Sequence, residues 1–204
     1  MLRSLSVSHS IASVLRHTLF ILLIGGLAAG PSSNRPLVRP IAADTLGRFP
    51  SVEGSNLESE HFNLPSDFRG ELNDVLVAFK REQQTDVDSW MPFLKGVGES
   101  RHELRIYELP TLGRRYRLIR PIIDGGMRRG IPDAAVRAAT ITLYIDKAPL
   151  RESLLLGDED RIYVLLVDRK GQVFWQGEGR FDERAGAELV RRIDEKRSAH
   201  SATK

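Results

Sequence analysis

The chain has 204 residues, enough for one domain with a buried core and some additional segments. With 41% hydrophobic and 28% charged residues it has the composition of a globular protein, and without cysteine it holds no disulfide, thiol nucleophile, iron–sulfur cluster or cysteine-bound zinc. The formal net charge of +3 does not point to nucleic acid: residues 1–43 contain four arginines and no acid, so the body from Asp44 onward carries about −1.

Residues 1–30 combine a basic start with the uncharged run LFILLIGGLAA from Leu19 to Ala29. Such a run matches the hydrophobic region of a secretory signal and falls short of the roughly 20 residues that cross a bilayer as a helix. The segment reads as a signal peptide or an uncleaved membrane anchor, which puts the domain on the periplasmic side of a bacterial membrane. The acid-free start MLRSLSVSHSIASVLRH also fits a mitochondrial presequence, with the inner membrane or matrix as the second location. Residues 31–47, with three prolines and no periodic apolar pattern, read as a linker.

The expected domain spans residues 48–197 and a polar, disordered tail spans 198–204. Between Phe49 and Gly70 short apolar pieces alternate with turn signals, and Glu53-Gly54-Ser55-Asn56 reads as the turn of an N-terminal hairpin. Val75 to Phe79 is a short run of apolar, mostly β-branched or aromatic residues, suited to a central strand covered on both faces. A polar joint, Gln83-Gln84-Thr85-Asp86-Val87, leads into a helix from Thr85 to about Val97, with Thr85 as its cap and Asp88 three residues on. The stretch HELRIYELP alternates as a strand ending at Pro110. Residues 113–139 form an irregular arginine-rich insertion broken at Gly125-Gly126, with a short helix after Pro132.

Thr140 to Asp146 reads as a buried strand, and APLRESLLLG as a short helix stopped by Gly157. Two further strands are joined by Asp168-Arg169-Lys170-Gly171, a turn with Gly171 placed for positive φ. A closing helix from Glu183 to Lys196 turns Ala187, Val190 and Ile193 toward the sheet. Together these predict an α/β domain with a central mixed sheet flanked by helices.

Two groups of residues are candidates for contact. Gln83, Gln84, Thr85 and Asp86 lie where a strand end meets a helix start, a position at which α/β proteins often bind or react, with Trp90 one helical turn on. Capping and core packing are the plainer readings for Thr85 and for the two tryptophans, Trp90 and Trp175. The cluster Arg114, Arg115, Arg117, Arg120, Arg128 and Arg129 fits an anionic partner, a lipid headgroup or a phosphate; its plainer reading is a solvated insertion in a chain with 24 Arg and 6 Lys. No nucleic-acid motif accompanies it. His61 and His102 lack metal-ligand spacing, Asp86 and Asp88 point in different directions from a helix start, and the DGG and GEG triplets at 124–126 and 177–179 lack a phosphate-loop pattern. No metal or cofactor is expected.

The order of elements, with LPSDFRGELNDVLVAF, the helix containing WMPFL and the hairpin VLLVDRKGQVFWQGEG, resembles the redoxin branch of the thioredoxin-like superfamily. Setting Met91-Pro92 on the Met-Pro of the redoxin helix puts the two positions of the C-x-x-C motif at Gln84 and Val87. The proline that such proteins carry before the facing strand is also missing, since Asp158-Glu159-Asp160-Arg161 stands there. The resemblance therefore implies the fold without thiol chemistry. Residues 140–182, with YIDK, LRESL and IYVLLVDRKGQVFWQGEG, are similar to the mitochondrial ATP synthase assembly factor family, which implies a membrane-associated assembly or chaperone role with no catalytic residues and a protein partner, a membrane complex among them.

Overall fold

The computed structural model describes residues 46–201, so the expectations for the leader and for most of the linker lie outside the described residues. The strands are β1 (Val52–Asn56), β2 (His61–Leu64), β3 (Leu72–Ala78), β4 (Leu104–Gly113), β5 (Ile141–Ile145), β6 (Tyr163–Asp168) and β7 (Val173–Glu178). The helices are α1 (Gln84–Glu99), α2 (Arg120–Gly130), α3 (Ala134–Ala139), α4 (Lys147–Ser153) and α5 (Glu183–Ser201). Two 3₁₀ segments, Arg81–Gln83 and Arg114–Ile119, lead into α1 and α2.

All seven strands join one sheet in the order β2-β1-β5-β4-β3-β6-β7. β3, β4 and β5 run parallel, because α1 and the α2–α3 segment carry the chain back between them, while the hairpins β1–β2 and β6–β7 add antiparallel edges. β3 is buried along almost its whole length, as its apolar run requires of a central strand. Its side chains alternate between two cores: Val75 and Val77 pack with Phe68, Leu143 and Leu165, whereas Leu72 and Leu76 pack with Trp90, Leu94, Val164, Trp175, Leu189 and Ile193 under α1 and α5.

Several expectations are corrected. Glu53 to Asn56 is strand, not turn: Gly54 sits so close to β5 that a Cβ there would lie 2.7 Å from Leu143 Cδ2, and the chain reverses one step later, where Asn56 Oδ1 accepts from the backbone of Glu58 and Glu60. β4 continues through Pro110 to Gly113, and its ladder to β5 lapses between Glu108 and Thr111, so the missing N–H falls in a gap of the pairing. Gly125-Gly126 does not break the insertion, which is helical through α2, with Pro121 in its first turn.

α4 ends at Ser153, capped by Leu154, rather than running to Gly157. Leu155 takes the left-handed conformation at φ 55°, and Leu156 N–H bonds back to the Arg151 carbonyl. In α5 the core face is Ala185, Leu189 and Ile193, whereas Ala187 is exposed and Val190 only partly buried; the helix runs on through Ser201, past the expected start of the tail. The turn at 168–171 is as expected, with Gly171 at φ 81°.

Candidate functional site

β3 delivers the chain to the joint at Phe79, and three hydrogen bonds from one side chain to the backbone hold the entry to α1. Gln83, buried at 5% exposure, accepts at Oε1 from the N–H groups of Phe79 (2.8 Å) and Lys80 (3.1 Å) and donates from Nε2 to the Glu159 carbonyl (2.8 Å). It thus satisfies two orphan donors at the strand end and pins the loop that enters β6. The capping expectation for Thr85 is corrected: α1 begins at Gln84, and Thr85 is an exposed first-turn residue.

Charge further ties the loop Asp158-Glu159-Asp160 to the joint and to α4, and the adjoining Arg161 to β7. Lys80 Nζ meets Asp160 at 2.5 Å, Glu159 pairs with Lys147 and with Arg151 (3.6 Å), and Arg161 reaches Asp158 and Glu178 at 3.3 Å each. In the sequence this loop stands out only for the proline it lacks; its acids face a row of cations only once α4 folds back beside it.

The remaining joint residues divide by direction. Asp86 pairs with Arg180 at 3.4 Å, and Ser89 Oγ donates to the Asp86 carbonyl and accepts from the Phe181 N–H. Trp90, a candidate contact, is fully buried; its indole N–H donates to the Gly179 carbonyl at 2.9 Å and its ring packs edge-on against Trp175 and Phe181, so it belongs to the core. Val87 is buried at 2% exposure, while Gln84, Thr85 and Asp88 face solvent, Gln84 Nε2 donating to Asp88 at 3.0 Å.

Behind this face stands Glu108 of β4, which sequence reading missed. Burial, then the charge of Asp88, push its carboxyl up to about 7, against a hydrogen bond from Gln84 and the charge of Lys95. The signal was in HELRIYELP itself, where Glu108 continues the alternation of Leu104 and Ile106 beneath α1. Another acid, Asp74 of β3, is fully buried with neither carboxylate oxygen hydrogen-bonded, and burial pushes it up to about 8 despite the pull of Arg101.

The arginine cluster does not form one surface. Arg120 reaches inward to Asp124 (2.9 Å) and Ser55, and Asp124 also accepts from Tyr144 OH (2.7 Å) and Thr142 Oγ1 (3.2 Å). Arg128 donates to the Leu57 carbonyl (2.6 Å) and to Ser59 Oγ (3.0 Å). These two arginines fasten α2 to the β1–β2 hairpin, Arg120 half-buried and Arg128 exposed. Arg114, Arg115, Arg117 and Arg129 are exposed.

No protein-family model matches the chain, and no curated protein matches it, so the similarity of residues 140–182 to the ATP synthase assembly factors gains no support. Solved structures do match. BsSco, a member of the Sco family of cytochrome c oxidase assembly proteins, superposes with a TM-score of 0.53 at 8% identity, over 74% of this chain and 94% of its own. A protein from Aquifex aeolicus VF5 described for electron transfer gives a TM-score of 0.52 at 8% identity, over 72% and 94%. The lipoprotein thioredoxin Etrx1 from Streptococcus pneumoniae is similar at a TM-score of 0.47 and 11% identity, over 70% and 98%. The fold is thioredoxin-like, and at these identities the likeness extends to the fold alone.

Proposed function

We propose that this chain is a non-catalytic, cysteine-free thioredoxin-like protein, exported or held at a membrane by its N-terminal segment, that acts through protein contacts as an assembly or chaperone factor for a membrane complex. The observation that carries this reading is the state of the joint. On the register with the Met-Pro pair Gln84 and Val87 take the C-x-x-C positions, and the facing loop is held to the strand end by Gln83 and Lys80 and to α4 by Lys147 and Arg151. What remains outward is a small polar face of Gln84, Thr85 and Asp88 at a helix N-terminus, a surface suited to contact.

A second reading is an enzyme with non-thiol chemistry around Gln84 and Asp86. It is favoured by Glu108, a carboxyl poised near neutrality beside Asp88 and within reach of Gln84. Thiol–disulfide and peroxidase assays on the full chain are expected to read background. A hydrolase and isomerase substrate panel separates the two readings: turnover that survives removal of trace metal and is lost in Glu108→Gln overturns the non-catalytic one, and no turnover in either protein sustains it.

A further inference from the structure

We propose that residues 114–122 are a docking element for an anionic lipid bilayer. The inference rests on the membrane-side placement proposed above and assigns the surface that meets the membrane.

The segment RRYRLIRPI leaves the C-terminal end of β4, three residues beyond the last pairing with β3 at Ala78↔Pro110, so it stands at the same end of the sheet as the joint. As a 3₁₀ helix running into α2 it aligns residues three apart. Within the 3₁₀ segment Tyr116 and Ile119 share one row, Arg114 and Arg117 the next, and Arg115 and Leu118 the third, while Ile122 follows in the first turn of α2. Of the five large hydrophobic side chains exposed among the described residues, four are in this segment, with Leu118 at 92% and Ile122 at 65%. That concentration separates it from the scattered apolar exposure of ordinary surfaces.

Its charge is as one-sided as its polarity. Residues 114–122 hold four arginines and no acid. Arg120 is spent internally on Asp124 and Ser55, which clamps the base of the element to the sheet. Arg114, Arg115 and Arg117 have no carboxylate partner among the described residues, and the Arg115 guanidinium lies 4.9 Å from the Tyr116 ring centroid.

An acidic protein surface would satisfy these arginines but would need a matching pocket for a leucine that stands almost wholly clear of its own fold. A bilayer interface meets both demands at once. Lipid phosphates lie at the depth that arginine side chains reach, and acyl chains lie beneath the apolar tips. The same chain carries the apolar run at residues 19–29.

The test uses the full chain carrying Leu118→Trp, with wild type as the background for the buried Trp90 and Trp175. Vesicles of phosphatidylcholine, with and without phosphatidylglycerol and with acyl-brominated lipid, are the probe. Expected are a blue shift and bromine quenching at position 118 on anionic vesicles, weakened about fivefold in apparent affinity for each of Arg114→Gln, Arg115→Gln and Arg117→Gln, and weakened by salt. Unchanged circular dichroism melts show that these exposed substitutions leave the fold intact. An unshifted, unquenched position 118 on vesicles that the protein nevertheless co-floats with overturns the proposal and leaves the membrane-side reading standing. Equal quenching on uncharged vesicles overturns the assignment to anionic lipid.

Discussion

Gln83 and Glu159 lie 76 residues apart and are joined by a 2.8 Å hydrogen bond from the Gln83 carboxamide to the Glu159 carbonyl, while the same carboxamide accepts from Phe79 and Lys80. The pair joins the end of β3 to the loop that enters β6. Gln83→Ala leaves two strand-end N–H groups and one carbonyl without partners and is expected to cost about 2–3 kcal/mol. Urea unfolding measures it. Exposed Gln84→Ala should cost under about 0.5 kcal/mol, and equal losses in the two variants would show that Gln83 is not the strut.

Asp74 gives the protein a definite pH dependence. Its folded pKa, about 8, lies above the ordinary carboxylate value, so the native state binds one proton more than the unfolded chain between pH 4 and pH 8. Stability is therefore greatest at the acid end of that window and falls as pH rises, with a slope approaching about 1.4 kcal/mol per pH unit. Unfolding midpoints from pH 5 to 8 should show this decline, and Asp74→Asn should flatten it. A rising stability across the same range would contradict the buried neutral acid.

Glu108 adds a smaller decline with the same sign, ending near pH 7 where its carboxyl ionises in the folded state. Carbon-detected NMR titration of the Glu108 carboxyl is expected to give a midpoint near 7 that moves lower in Asp88→Asn, because a neighbouring negative charge is removed. A midpoint near the ordinary carboxylate value would remove the observation that favours the enzymatic reading.

Tyr144 and Asp124 couple α2 to β5. The Tyr144 hydroxyl donates to the buried Asp124 carboxylate at 2.7 Å, and burial together with that carboxylate holds the phenol in its protonated form well above its usual range. Tyr144→Phe should cost about 1–3 kcal/mol and speed amide exchange across residues 120–130, as read by exchange mass spectrometry. Unchanged exchange would place the anchoring of α2 in Arg120 and Arg128 alone.

The parts of this fold that are legible in the sequence are those set by local chemistry. Val75 to Phe79 is β-branched and apolar and becomes the central strand; Asp168 to Gly171 carries its own turn, with glycine at φ 81°. The readings that fail are those decided by distant neighbours. Gly54 imitates a turn, yet β5 packs against it; Pro110 imitates a strand end, yet the ladder merely skips it; Thr85 imitates a cap, yet Gln83 has already satisfied the preceding amides. The same holds at the candidate site. Gln84 and Val87 could be placed by register with the Met-Pro pair, but the burial of Trp90, the stapled loop at 158–160 and the raised carboxyl of Glu108 depend on which elements fold against them. Six arginines look like one cluster in sequence because they are close along the chain; folding turns Arg120 inward to Asp124 and Ser55 and lays the exposed Arg128 along the β1–β2 turn.

The central claim is that the polar face left at the joint is a protein-contact surface. A photo-crosslinking residue placed at Thr85 of the full chain, expressed where its membrane is present, tests it most directly, with Arg169 in the β6–β7 turn at the opposite end of the sheet as the control position. The expected result is a discrete adduct from position 85 that is absent from position 169 and is lost when Gln84→Arg is added. No adduct from position 85 above that from position 169 would contradict the claim.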